Sequence, residues 1–337
     1  MRRTRAEGPA PLDGVDVLLA DLDGVVYAGP DAIPHAVDSL RAAAADGRRV
    51  GYITNNASRS DAVVAAHLAE FGLDVKAEDV VTSPQAAMRL LADVVEPGSL
   101  ILVVGGEGLV TEVERAGFRV TRAAADRPAA VVQGFAPELG WRDLAEASFA
   151  LARDRDGNGI PWIATNTDWT IPVAGGIAPG NGTLVSAVHT VVGILPQVAG
   201  KPETPIFEEA VRRFGARSPL FLGDRLDTDI LGARRAGMRS AHVLTGIDTG
   251  KQLVAAAADS RPDFLLEDLR QLFEPYPVVE RKKDVTRVRD ARVAVRDGRV
   301  ELLDAGSKID VLRATCAAVW DSGVPLYALE VPAELYR

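Results

Sequence analysis

Ala20-Asp21-Leu22-Asp23-Gly24-Val25-Val26-Tyr27 closes a short apolar run, Val15-Asp16-Val17-Leu18-Leu19-Ala20, with two carboxylates and a glycine. An apolar run of this length reads as a strand buried on both faces of a parallel sheet. Gly24 lets the chain turn away at once. Side chains on a strand alternate with period two, so an extended backbone would aim Asp21 and Asp23 the same way. Two carboxylates that close do not both ionise freely: one keeps a proton, or a cation sits between them. That state suits a nucleophile working beside an acid–base group. A polar turn closing a strand looks the same in isolation, so the reading depends on what the rest of the chain adds.

Downstream, Ile33, Val37, Leu40 and Ala44 recur at helical spacing, and Gly47 stands where a helix would stop. Arg49-Val50-Gly51-Tyr52-Ile53 then predicts a second strand, ending in Thr54-Asn55-Asn56. Hydroxyl and amide groups ahead of a helix N-terminus suit an anion. Capping of that helix by Asn56 or Ser58 is the plainer use of the same residues. Much later, Gln197-Val198-Ala199 leads into Gly200-Lys201-Pro202. Ser218-Pro219-Leu220-Phe221-Leu222 leads into Gly223-Asp224-Arg225-Leu226-Asp227-Thr228-Asp229. Carboxylates crowded at a strand end suggest a divalent cation with oxygen ligands, although Asp229 would also favour the first turn of the next helix. Four separate segments thus place acid, hydroxyl, amine and acid at strand ends, where an open α/β sheet carries its site.

Between the second and third of these segments the alternation continues without such strand ends. Helices are expected over Pro84–Val95, Leu109–Ala116 and Trp141–Arg153, and strands over Leu100–Val104, Ala129–Gln133 and Pro161–Ala164. This stretch reads as an α/β unit inserted into the first. Asp154-Arg155-Asp156-Gly157-Asn158-Gly159 imitates a calcium loop, but the twelfth position is Thr165 instead of a bidentate glutamate. The glycine- and proline-rich run from Ala174 to Gly182 reads as a long return connection, and such loops carry function. Past Pro275-Tyr276-Pro277 and the basic Arg281-Lys282-Lys283, taken as a linker, Ala291–Arg296 and Arg299–Leu303 flank Asp297-Gly298, a hairpin signal. Ile309, Leu312, Cys316 and Val319 form one helical face, and Leu326–Leu329 is expected as a last strand, giving a ββαβ piece.

The 337 residues are 47% hydrophobic and 25% charged, an ordinary globular balance for two or three domains. A net charge of -9 and the lack of a basic stripe argue against a nucleic-acid surface. A lone cysteine, Cys316, rules out an internal disulfide framework and fits a reducing compartment. No apolar run is long enough to cross a bilayer, and the basic arm Met1–Pro11 lacks the apolar core of a secretory signal.

Asp21-Leu22-Asp23-Gly24, Thr54-Asn55-Asn56, Lys201-Pro202 and Gly223-Asp224-x-x-x-Thr228-Asp229, in this order, resemble the four motifs of the haloacid dehalogenase superfamily. The large insert resembles the cap of its 4-nitrophenylphosphatase-like branch, which includes phosphoglycolate, glycerol phosphate and pyridoxal phosphate phosphatases. The resemblance covers about residues 14–272. It implies a doubly wound, parallel-sheet Rossmann-like core (12–84 and 182–272) and an inserted α/β cap (85–181), with a small α+β C-terminal module (273–337) outside it. It implies Mg²⁺ as cofactor and hydrolysis of a small phosphate monoester, glycerol 3-phosphate or phosphoglycolate before pyridoxal phosphate or nucleotides. A phosphotransferase or mutase is the alternative. By the same resemblance Asp21 is the nucleophile and Asp23 the acid–base. Mg²⁺ falls to Asp21, the Asp23 carbonyl and Asp224, and phosphate to Thr54, Asn55, Asn56 and Lys201. Asp229 and Gly24 support them, and Thr165–Asn181 faces the leaving group. The expected setting is cytoplasmic, with a small phosphorylated metabolite as partner, no nucleic acid and no membrane; a homodimer is compatible with it.

Overall fold

The computed structural model describes residues 7–152, 157–173 and 175–337. Residues 1–6 of the basic arm, and Asp154, Arg155 and Asp156 of the calcium-like run, lie outside the described residues. The chain gathers into two compact units, Met1–Val50 with Ala216–Arg337, and Gly51–Gly215.

In the first unit the apolar run forms the strand Val17–Ala20, every residue buried. It pairs in parallel with Pro219–Gly223, which pairs with Arg239–Val243, which pairs with Phe264–Leu266. Arg239–Val243 carries polar residues and Phe264–Leu266 is only three residues long, which hides them from a purely apolar reading. Ala36–Ala45 is the expected helix, stopped at Gly47 with φ +84°.

The C-terminal module departs from the expected ββαβ order. Four antiparallel strands, Val279–Lys282, Val285–Val288, Ala291–Arg296 and Arg299–Asp304, form one sheet. Arg281 and Lys282 therefore lie in a strand and not in a linker. Leu326–Ala328 is a 3₁₀ turn instead of a strand. The Asp297-Gly298 turn has φ +48° and +77°, as the sequence requires of a two-residue hairpin. The helix Lys308–Asp321, capped by Ser307 through the Asp310 N–H, lays Ile309, Leu312, Cys316 and Val319 into one apolar cluster. That cluster also holds Leu226, Ile230, Leu253 and Leu265 of the parallel-sheet region, so the module shares its core instead of building its own.

Arg313 fastens the same junction. Its side chain is 4% exposed. Its guanidinium donates to the Leu265 carbonyl, to Gln271 Oε1 at 3.0 Å and to Asp310 Oδ1 at 3.0 Å, and stands 4.7 Å over the Tyr276 ring. The Tyr276 hydroxyl accepts from the Leu265 N–H at 2.8 Å.

In the second unit, residues 52–54 of the strand Arg49–Thr54 pair in parallel with Val80–Thr82, and a separate five-stranded parallel sheet forms. The order of that sheet is Gln197–Val198, Trp162–Ala164, Ala130–Gln133, Leu100–Val104 and Arg119–Thr121. The glycine-rich return is partly regular: Thr170–Val173 and Gly176–Pro179 pair as an antiparallel hairpin. Among the described residues no helix is long and apolar enough to cross a membrane.

Candidate active site

Register places the acids of the first unit. Ala20 lies opposite Leu222, and the Asp21 N–H donates to the Leu222 carbonyl at 2.9 Å. Asp21 and Asp224 therefore leave the carboxyl ends of two adjacent parallel strands. The strand ends at Ala20, so the period-two argument does not reach Asp23, which sits in the following turn and is exposed while Asp21 is buried. Asp229 is brought back by a π-helical turn, Leu226–Ile230, and its Oδ2 accepts from the Asp224 and Arg225 N–H groups, both at 3.1 Å.

One carboxylate oxygen from each of Asp21, Asp224 and Asp229 lies within 4.8 Å of the others. Opposite ligands of an octahedral Mg²⁺ stand about 4.2 Å apart and neighbouring ones about 3.0 Å, so the three oxygens would draw closer to share one ion. Three carboxylates at this spacing repel unless a proton or a cation intervenes. Hard oxygen donors in such a group suit Mg²⁺ or Ca²⁺ over softer metals.

Glycines make the approach possible. Gly24 has φ +82°, and a Cβ there would stand 2.3 Å from Asp224 Oδ2. A Cβ on Gly223 would stand 2.3 Å from that of Asp229. A loop that the sequence reading missed, Thr245-Gly246-Ile247-Asp248, closes over Asp224. The Ile247 N–H donates to Asp224 Oδ2 at 2.7 Å, and the Thr245 hydroxyl donates to the Gly24 carbonyl at 2.7 Å. Asp248 Oδ2 accepts from the Leu226 N–H at 2.7 Å. The clue was a Thr-Gly pair after Arg239–Val243, a strand that itself went unread.

In the second unit Thr54, Asn55 and Lys201 are buried and Asn56 is exposed. Asn55 pairs with the main chain of Lys201. Its Oδ1 accepts the Lys201 N–H at 2.8 Å, and its Nδ2 donates to the Lys201 carbonyl at 3.0 Å. Asn56 Oδ1 accepts from the Ser58 N–H and hydroxyl, an Asx turn, while the Asn56 N–H donates to Thr54 Oγ1 at 3.1 Å. The helix begins only at Asp61 and is capped by Ser60, so neither Asn56 nor Ser58 caps it.

A parallel α/β sheet with carboxylates clustered at its strand ends suits an enzyme of the metal-assisted hydrolase class. Residues 18–119 match the family haloacid dehalogenase-like hydrolase, and residues 198–272 match the family HAD-hydrolase-like. The chain is 42% identical over 318 residues to a D-glycerol 3-phosphate phosphatase of Mycobacterium tuberculosis, covering 91% of this chain and 86% of that protein. It superposes on the crystal structure of a glycerol phosphate phosphatase from the same organism in complex with magnesium. There the TM-score is 0.86 and the identity 41%, over 97% of this chain and 96% of that one. A p-nitrophenyl phosphatase from Archaeoglobus fulgidus gives a TM-score of 0.70 at 27% identity, over 77% of this chain and 98% of that one. The chain belongs to the haloacid dehalogenase-like hydrolases.

Proposed function

We propose that the protein is a Mg²⁺-dependent phosphatase of small phosphate monoesters, with glycerol 3-phosphate as its first candidate substrate. The observation that carries this reading is the Asp21–Asp224–Asp229 carboxylate group at adjacent strand ends. The relatives named as glycerol phosphate phosphatases, one of them crystallised with magnesium, support it. Asp21, the Asp23 main-chain carbonyl and Asp224 would hold the ion, with Asp229 in support. When bound, Mg²⁺ offsets the negative charge of the phosphoryl oxygens.

Asp21 attacks phosphorus and takes the phosphoryl group as an aspartyl-phosphate. Asp23 gives its proton to the departing alkoxide, then accepts one from the water that hydrolyses the aspartyl-phosphate. An exposed Asp23 beside a buried Asp21 gives the two carboxylates the different environments these roles need. Phosphate binding falls to Thr54, Lys201 and the main chain of Asn55 and Asn56. Residues 85–181 act as a cap on a core of 12–84 and 182–272, although the strand Gln197–Val198 pairs into the cap's own sheet, and Thr165–Asn181 reads the leaving group. The lone, buried Cys316 is in keeping with a cytoplasmic setting.

Phosphate release from glycerol 3-phosphate, phosphoglycolate, pyridoxal phosphate and a nucleoside monophosphate, each with Mg²⁺ and with EDTA, tests the reading. Release in Mg²⁺ alone is expected, with glycerol 3-phosphate ranked first. Asp21→Asn should lose activity by several orders of magnitude, since an unmade covalent step is worth many kcal/mol of barrier. An isomerised product in place of phosphate would identify a mutase, and substantial activity in Asp21→Asn would remove the nucleophile assignment.

A further inference from the structure

The turn Thr165-Asn166-Thr167-Asp168 is built into the surroundings of Asn55. Asn55 Nδ2 donates to Asp168 Oδ1 at 3.1 Å and Oδ2 at 3.3 Å, in addition to the Lys201 carbonyl. Asn166 Nδ2 donates to the Asn55 carbonyl at 2.8 Å, where the Ser83 hydroxyl also donates at 2.8 Å. The Asp168 N–H returns to Asn166 Oδ1 at 3.2 Å, and Asn181 Nδ2 holds the Asn166 carbonyl at 2.7 Å.

Three glycines let the main chain come this close. A Cβ on Gly182 would stand 2.2 Å from the Thr167 carbonyl oxygen, and one on Gly180 2.2 Å from that of Asp168. One on Gly200 would stand 2.5 Å from Asn55 Oδ1 and 2.6 Å from the Thr165 carbonyl oxygen.

An amide has two N–H donors on one nitrogen. Here they are directed to Asp168 and to the Lys201 carbonyl, so the side chain of Asn55 is engaged in holding protein and not in binding a ligand. The Lys201 main chain asks for one orientation of the amide, oxygen to its N–H and nitrogen to its carbonyl, and the Asp168 carboxylate reinforces it with a charged acceptor that only the nitrogen end can serve. A reversed amide would set its oxygen against both Asp168 and the Lys201 carbonyl.

We propose that Asp168 is a positioning residue for the phosphate-binding Lys201, acting through the orientation of the Asn55 amide. This rests on Lys201 binding phosphate, as argued above.

The test is steady-state kinetics with glycerol 3-phosphate and competitive inhibition by inorganic phosphate, on the full chain with saturating Mg²⁺. Both KM and the inhibition constant are ratios that do not depend on how much of a variant folds. Asp168→Ala should raise the phosphate inhibition constant about tenfold or more, the scale of one lost bond to a charged group, and leave half-saturating Mg²⁺ unchanged. Asp168→Asn, which keeps an acceptor for Asn55, should recover to within about threefold of the native value, since a neutral bond retains roughly half the strength. In an Asn55→Ala background, Asp168→Ala should add nothing further. Additive effects in that double variant would mean that Asp168 acts directly on the substrate, and would overturn the proposal. So would a native inhibition constant in Asp168→Ala with only a lowered Tm, which is the signature of a purely structural role. Lys201→Ala is the control for the underlying reading: an unchanged phosphate constant there removes that reading, and this inference with it.

Discussion

Gly246→Ala separates the seat of the Asp224 carboxylate from its charge. Gly246 is not among the glycines with positive φ, so alanine meets no backbone strain and the effect is steric. A Cβ on Gly246 would stand 2.0 Å from Asp224 Oδ2, 2.4 Å from Cγ and 2.5 Å from Cβ. Ordinary contact begins near 3.4 Å, so the carboxylate or the loop must retreat by about 1.4 Å, the difference from 2.0 Å. The bond from the Ile247 N–H to Oδ2, 2.7 Å long, is lost or stretched with it. A bond of that kind to a charged group is worth about 1.5–3 kcal/mol. Overpacking costs about 1–3 kcal/mol of stability, which an ordinary fold survives. A misplacement of about 1 Å at a catalytic centre lowers rate by on the order of 100-fold. The expected variant is folded by circular dichroism, needs at least about tenfold more Mg²⁺ for half-saturation, and turns over on the order of 100-fold more slowly. Asp224→Asn, with the charge removed and the shape kept, should show the same Mg²⁺ defect. A Gly246→Ala enzyme with native Mg²⁺ dependence and native turnover would refute the placement of Asp224 in the metal group.

Arg313→Met should destabilise the first unit by about 3–5 kcal/mol, because the Asp310 carboxylate and the Leu265 carbonyl are left buried with a partner gone. Urea midpoints measure it, and a loss below about 1 kcal/mol would show that the junction does not depend on the guanidinium. Burial pushes the Cys316 thiol well above its ordinary range, so thiolate reagents should label it only as fast as the protein unfolds. Rapid labelling of the native enzyme would contradict that packing. Gln133 is fully buried, and neither of its amide atoms has a hydrogen-bond partner among the described residues. Gln133→Leu should therefore raise stability by about 1–3 kcal/mol, read as a higher urea midpoint; a fall of similar size would refute the reading of an uncompensated amide.

What was legible in the sequence was the set of features written in consecutive residues. The apolar run before Asp21, the helical spacing before Gly47 and the Asp297-Gly298 turn each carry their own local cause, and each formed. Strands such as Arg239–Val243 and Val279–Lys282 failed to register because their strand position is decided by the strands they pair with. Arg239 and Ser240 gain a strand position only through pairing with Leu220 and Phe221. The same limit explains why Asp224 could be picked out while Gly246 could not. A carboxylate after a strand is unusual chemistry in itself, whereas a glycine becomes informative only once the atom it must avoid is known.

The C-terminal module carries this reasoning furthest. Its ion pairs on the exposed side, Arg292 with Asp304 and Arg296 with Asp284, are what any solvated sheet face would show, and each is worth little. Arg313 differs in one respect that no sequence window displays: besides Asp310 on its own helix, its acceptors are Leu265 and Gln271, more than forty residues upstream. A buried guanidinium must be matched by acceptors wherever they lie, or its desolvation goes uncompensated. The module's helix therefore has a defined seat on the edge strand Phe264–Leu266, and its apolar face completes a cluster that Leu226 and Ile230 begin. Those two residues flank the turn that carries Asp229. The packing of the last sixty or so residues thus bears on the backbone that holds one of the three clustered carboxylates. Loosening the Arg313 junction should accordingly raise the Mg²⁺ requirement before it abolishes folding, an order of events that a module without any link to the site would not produce.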